Sequence, residues 1–504
     1  MTKVDAVPLG AAGTARMPGT AEAEAEVLAR TTRTPGAAAG ATTALDGGPL
    51  PPRWWVWLAA WPVVAVFVLS NAATPLYVLW QRELGFSSGT LTAVFASYIV
   101  GLLGSLLVAG VVSDRVGRKP VLLPALVLGA VASVFFATAS TVFTLALARF
   151  LSGIAVGAVV SAGMAAVSDV AGPSRRRLAA LLASTAMVVG AGVGPLLAGV
   201  LSETAPGPTS TVFVVEIALL VSAVVVVARL PLPRRADLVR DGDLGKGGDL
   251  GRGRDPRKGG GGAAAAGVGA GPRRMFGIGA RLGSGRRAAA RASGRWIRVP
   301  SVPREHRGKL LLGIAVFGPG LTSTSFVLSL GPSLLADLLD SDSRVLAGSM
   351  AFVMFMASTG VQFAVQRLRV RTILISGALS TAAGMAVLVL AVHTSSVVLL
   401  GAAAMLAGAG QGQGQLGGLS LLNSSLPSSR LAEANAALNV GGYLPAGAFP
   451  VAVGYLSDSV GLSTGATLFG TVMAGTALVG AALVVVHRSD AEPGCSTRSL
   501  ASTR

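Results

Sequence analysis

The sequence predicts an all-α membrane protein, with twelve transmembrane helices in two six-helix halves. Three observations predict it. Hydrophobic residues make up 52% of the chain and charged residues only 13%, with a mean hydropathy of +0.66; a soluble domain carries roughly 25% charged residues. Twelve apolar runs recur along the chain, each of about 20 residues and so long enough to cross a hydrocarbon core of about 30 Å. The cations of the short connecting loops alternate from one loop to the next.

In order, the first six runs are Trp54–Val78, Leu91–Val112, Val121–Ala139, Val142–Ala166, Leu178–Leu201 and Val212–Ala228. The second six are Leu310–Leu335, Val345–Val365, Thr372–Val392, Val397–Leu422, Ala434–Leu456 and Thr464–Val486. The even-numbered short loops hold ten Lys and Arg: Arg115, Arg118 and Lys119, then Arg175, Arg176 and Arg177, then Arg367, Arg369 and Arg371, and Arg430. The odd-numbered loops hold two, Arg82 and Arg344. The positive-inside rule then puts both termini and the central linker in the cytoplasm. The expected organisation is a disordered cytoplasmic tail (1–52), a first half (53–230), a basic linker (231–308), a second half (309–487) and a cytoplasmic C-terminal tail (488–504).

Spacing relates the two halves. Pro75 and Pro332 stand 332 − 75 = 257 apart. Gly153 and Gly157 match Gly408 and Gly412 at 255, and Gly199-Val-Leu-Ser-Glu203 matches Gly454-Tyr-Leu-Ser-Asp458 at 255. Arg115 and Lys119 match Arg367 and Arg371 at 252. A near-constant offset over four segments implies duplication of a six-helix unit. Parallel repeats of this kind hold a substrate site near the midplane between them.

Net charge of +18 raises a nucleic-acid role, but its distribution argues against one. Between Pro231 and Lys309 there are nineteen Lys/Arg against six Asp/Glu, a local net of +13. A Gly- and Arg-rich run of this kind is a solvated linker suited to anionic lipid headgroups, and no aromatic-interleaved fold accompanies it. The single Cys495 excludes an intrachain disulfide. The first apolar run is too long for a secretory signal. His306, His393 and His487 are scattered without metal-ligand spacing. No phosphate-binding glycine loop suggests direct drive by ATP. No cofactor is expected, and no enzymatic constellation stands out.

The most specific motif is Gly110-Val-Val-Ser-Asp114-Arg115-Val-Gly117-Arg118-Lys119 between the second and third runs. Its cations fix the junction on the cytoplasmic side, and its glycines allow close approach and a tight turn. The motif resembles the loop joining helices two and three of major facilitator superfamily transporters, and the resemblance spans about Trp54 to Val486. It implies that Asp114, Arg115 and Arg118 form a conformational latch, with Gly110, Gly117 and Lys119 completing it. The bare reading is that these charges only set topology.

Arg149 in the fourth run lies roughly 12 Å from the outer end at 1.5 Å per residue. A charge at that depth must face a cavity or a partner, or snorkel to the interface. Followed by Gly153 and Gly157, it resembles the family's intramembrane arginine motif, which implies a part in coupling or substrate binding. The fifth run carries Gly190-Ala-Gly192-Val-Gly194-Pro195 and Gly199, small residues at helical spacing for close packing with a proline that removes a backbone hydrogen bond. It resembles the motif of exporters and antiporters in the superfamily. Asp169 is expected at the inner surface beside Arg175–Arg177.

Drug:proton antiporters of the family often carry an acid in the first helix, where this chain has Asn71. Glu216 is the one clear intramembrane carboxylate and, with Arg149, the coupling candidate; an interfacial position is the alternative. Gln411 and Gln415 are four apart and share a face, as do Asn435, Asn439 and Tyr443. With Asn71, Tyr77 and Tyr98 they are the candidates for substrate contact, against a role in interhelical hydrogen bonding.

The resulting expectation is a secondary transporter of a bacterial plasma membrane. It works by alternating access, most simply proton-coupled efflux of a small amphipathic compound. The alternatives are uptake or facilitated diffusion of a sugar or organic solute, and a non-transporting membrane sensor or scaffold.

Overall fold

A computed structural model describes residues 52–232, 302–339, 343–427 and 430–487. Residues 1–51, expected as a disordered tail, and most of the basic linker and the C-terminal tail, expected like it in the cytoplasm, lie outside the described residues. Among the described residues, twelve helices are long and apolar enough to cross a membrane. The first half consists of α1 (Arg53–Leu84), α2 (Ser88–Val116), α3 (Lys119–Ala137), α4 (Val142–Ala171), α5 (Arg176–Thr204) and α6 (Ser210–Arg229). The second consists of α7 (Arg307–Leu339), α8 (Arg344–Val365), α9 (Val370–Thr394), α10 (Val397–Asn423), α11 (Leu431–Val460) and α12 (Leu462–Val486).

The helices outrun their apolar stretches. α1 continues through Gln81, Arg82 and Glu83 and stops only at Gly85, whose φ of 67° forms a left-handed cap. α4 likewise runs to Gly172, at φ 70°. At these two ends a glycine, not the loss of hydropathy, closes the backbone hydrogen-bond ladder. The ends joined by the even-numbered loops form an arginine face. At the opposite face, Ser87, Thr141, Ser343 and Ser396 each accept a hydrogen bond from the third backbone N–H of the helix they precede.

Glycines set the closest helix contacts, and they do so in the same way in both halves. A Cβ at Gly153 would collide with Tyr98 O, and one at Gly157 would lie 2.7 Å from Leu102 O, both on α2. A Cβ at Gly408 would collide with Met354 O and one at Gly412 with Ser358 O, both on α8. So α4 docks on α2 as α10 docks on α8. The basic pair of the repeat also matches. Lys119 Nζ donates to Ala228 O at the end of α6 (2.9 Å), and an Arg371 guanidinium nitrogen donates to Val485 O at the end of α12 (3.1 Å). Each cation meets the carbonyl end of a helix, where negative partial charge gathers. We expect Gly153→Leu to force α4 off α2, with destabilisation of at least 1–3 kcal/mol, roughly the cost of overpacking. It would show as a lowered melting temperature in detergent, with Gly104→Leu, where a Cβ meets nothing within 4 Å, as the neutral control.

The first helix of the first half is broken. Proline at 75 supplies no N–H for the carbonyl four residues earlier, and Thr74–Leu76 form a 3-10 turn between Arg53–Ala72 and Tyr77–Leu84. This break positions the charged groups described next.

Candidate functional site

Arg149 is fully buried, with 0% exposure. It does not snorkel. Its Nε donates to the Tyr77 hydroxyl, and its Nη1 donates to Ser70 O at 2.6 Å. Its Nη2 is buried without a hydrogen-bond partner. The guanidinium lies 5.0 Å from the Tyr77 ring centroid, 5.7 Å from those of Phe95 and Phe136, and 5.8 Å from that of Tyr98. Desolvated aromatic faces attract a cation by about 2 kcal/mol or more. A carbonyl near the broken end of α1 adds the dipole that a helix C-terminus offers. Together they hold the charge.

Glu216 is 2% exposed, so the protein rather than solvent surrounds its carboxyl group. Its carboxyl group lies beside the backbone of Leu69, and its Oε1 has no hydrogen-bond partner. Thus consecutive residues of α1 meet two ionisable groups, Leu69 the carboxyl group of Glu216 from α6 and Ser70 the guanidinium of Arg149 from α4. An aromatic stack links the two sites. Phe213 and Phe136 stack at 4.9 Å, Phe136 lies on Arg149, and Trp80 stacks on both phenylalanines at 5.9 and 6.1 Å.

The substrate-contact candidates separate into groups. Tyr77 is fully buried and committed to Arg149. Asn71 donates from Nδ2 to Ser70 Oγ at 2.8 Å, and Tyr98 lies near both Ser70 and Tyr443. Tyr98 of α2 is thus close to Ser70, which Asn71 contacts on α1, and to Tyr443 of α11 in the other half. Gln411, Gln415, Asn435 and Asn439 are half-buried. Gln411 Oε1 and Asn435 Oδ1 are themselves buried without a hydrogen-bond partner. Between Gln411 and Gln415, Gln413 turns the other way and accepts from Ser376 Oγ of α9 at 2.5 Å, as residues two apart on a helix must diverge.

At the arginine face, Arg118 bridges two carboxylates. It donates from Nη1 to Asp114 Oδ1 at 2.7 Å and from Nε to Asp169 Oδ2 at 3.0 Å. The same Nη1 also lies 3.0 Å from Ser113 Oγ. Burial alone lowers the Arg118 pKa, but the hydrogen bonds and charges of Asp114 and Asp169 outweigh it and raise the pKa above its ordinary value. The sequence put Asp169 beside Arg175–Arg177 and missed this bridge. Asp169 ends α4 as Asp114 ends α2, and the tight α2–α4 contact brings those ends together.

The glycines of α5 meet two neighbours, Gly190 and Gly194 on one face and Gly199 on another. Cβ atoms at Gly190 and Gly194 would strike Val64 O and Val68 O of α1. Gly199 would strike Arg344 O of α8, and Pro195 O lies against Gly348 of α8. Helix α5 is therefore packed backbone-to-backbone between its own half and the other.

The family model of the Major Facilitator Superfamily matches residues 56–445. The chain belongs to this superfamily. Among curated relatives it is 34% identical over 144 residues to the multidrug resistance protein MdtL of Escherichia coli, covering 28% of this chain and 36% of that protein. The match thus spans about a third of the relative's length. The fold resembles that of a D-xylose–proton symporter (TM-score 0.62, 15% identity, 85% of this chain and 96% of that one). It also resembles the nucleoside transporter NupG (TM-score 0.60, 13% identity, 86% and 99%). At such identities the likeness is one of fold alone.

Proposed function

We propose that this transporter is a proton-coupled exporter of a small amphipathic compound, with Glu216 as proton carrier and Arg149 as its coupling partner. The observation that carries the reading is that these two buried ionisable groups lie against consecutive residues of α1 just before its break. Loading a proton on Glu216 removes a charge beside Leu69, and the hinge that also holds Ser70 to Arg149 feels the change. Buried ionisable groups in membrane helices are costly and mark ion pathways. The likeness to a multidrug resistance protein and the Gly-Pro packing of α5 support export. Arg118, with Asp114 and Asp169, acts as a latch on the arginine face, which by its cations faces the cytoplasm.

The half-buried amides Asn71, Gln411, Gln415, Asn435 and Asn439 favour a second reading, uptake of a neutral polar solute such as a sugar or nucleoside. Energised everted vesicles separate the two. Collapse of the pH gradient on adding an amphipathic cation supports efflux. Silence toward such compounds, with counterflow of a labelled sugar or nucleoside, supports uptake.

The latch gives a graded expectation. The Arg118 pairs are partly exposed, with side-chain exposures of 24% for Arg118, 50% for Asp114 and 39% for Asp169, so each contributes about 1 kcal/mol or less. Arg118→Ala loses both and should lower the initial transport rate roughly tenfold, Asp169→Asn by less. Equal rates in wild type and Arg118→Ala would remove the latch.

A further inference from the structure

The repeated Gly-x-Leu-Ser-acid segments end α5 and α11 at the face opposite the arginines, and each reaches into the other half. Glu203 Oε1 accepts from Val345 N of α8 at 3.0 Å. Asp458 Oδ1 accepts from Ser88 N of α2 at 2.8 Å, and its Oδ2 from Gly89 N at 3.1 Å. The first N–H groups of a helix have no partner within it. Here they are shared out in the same way twice. Ser343 takes Leu346 N at the third position of α8 while Glu203 takes the second. Ser87 takes Thr90 N at the third position of α2 while Asp458 takes the first and second.

The acceptors stand 458 − 203 = 255 apart and the serines 343 − 87 = 256 apart, the same repeat. A carboxylate also meets the positive end of the helix dipole there. Four residues before each acid, on the same helix face, a glycine lets the backbones touch. A Cβ at Gly199 would strike Arg344 O, and one at Gly454 would lie 2.8 Å from Ser88 O. A neighbouring contact, Ser333 Oγ to Gln81 Oε1 at 3.2 Å, joins α7 to α1 at this face.

We propose that Glu203 and Asp458 are a matched pair of gating residues. Each caps a helix of the opposite half, and together they hold the face opposite the arginines shut. When the halves rock and this face opens, both carboxylates must leave their N–H partners. The inference rests on alternating access and on no choice of substrate or coupling ion.

The test reads gate opening directly. Ala347 of α8 is 3% exposed and borders a small space with Pro75, Val78 and Pro332 beneath the gate. In a Cys495→Ser background, Ala347→Cys in nanodiscs is labelled with a membrane-impermeant maleimide. Glu203→Ala and Asp458→Ala should each speed labelling about fivefold, the effect of losing one helix cap. Independent sites add in free energy, so the double variant should reach about twenty-five-fold. Glu83→Ala, an exposed acid at the same face, should leave the rate unchanged. Wild-type labelling in a double variant that elutes as a single native-size species would overturn the proposal, as would equal acceleration by Glu83→Ala. Should the double alanine variant misfold, Glu203→Gln with Asp458→Asn keeps an oxygen acceptor without charge. That pair should speed labelling by a smaller factor, and an unchanged rate would again overturn the proposal. Because no substrate enters the assay, the gate and the efflux reading fail separately.

Discussion

Arg149→Met should lower transport by roughly a hundredfold while the protein still inserts in the membrane. The substitution removes a charged hydrogen bond to Ser70 O and another to Tyr77, each worth about 1.5–3 kcal/mol. One such bond corresponds to a factor of roughly 10–100 in any rate that depends on it. Methionine fills the aromatic cage, so the loss falls on the hinge of α1 rather than on packing. Arg149→Lys is the sharper variant. It restores the charge but not the planar fork that reaches both partners, so it should recover only part of the loss. Initial rates in vesicles at matched protein levels check both. Full activity in Arg149→Lys would mean that charge alone matters and that the two-point hold on α1 does not.

Glu216→Gln should abolish proton movement linked to substrate while leaving substrate exchange intact. Gln keeps the size and an oxygen for the Leu69 backbone but cannot gain or lose a proton. In everted vesicles the pH gradient should no longer collapse on adding substrate, a loss on the order of the whole signal for a sole carrier. Counterflow, which needs only alternating access, should persist. Proton-coupled flux at the wild-type level in Glu216→Gln would move the carrier elsewhere and leave Glu216 as a structural acid.

Several of these features are legible in the chain itself. Glu216 and Arg149 stand out because ionisable residues are rare in apolar runs. Gly153, Gly157, Gly408 and Gly412 stand out because small residues at helical spacing mark close helix contacts. What the sequence hides is which side chain meets which. Asp169 reads as one more acid near an arginine run, yet its partner is Arg118, 51 positions earlier. Tyr77 reads as a polar ring beside the substrate path, yet the Pro75 break turns it onto Arg149. Glu203 and Asp458 read as helix-end acids at matching positions, and only their partners across the halves give the repeat a role.

The sequence by itself determined that this chain is a twelve-helix membrane protein built from a duplicated unit, because lipid demands long apolar helices and duplication leaves a constant offset. Only the tertiary structure decided that Leu69 and Ser70 meet Glu216 and Arg149, that Arg118 joins two helices, and that two carboxylates cap helices of the opposite half. The physical reason is range. Apolar periodicity and loop charge act along one segment and are written there, whereas a hydrogen bond between helices depends on the rotation and depth of both. Packing of glycine backbones against α1, α2 and α8 sets those.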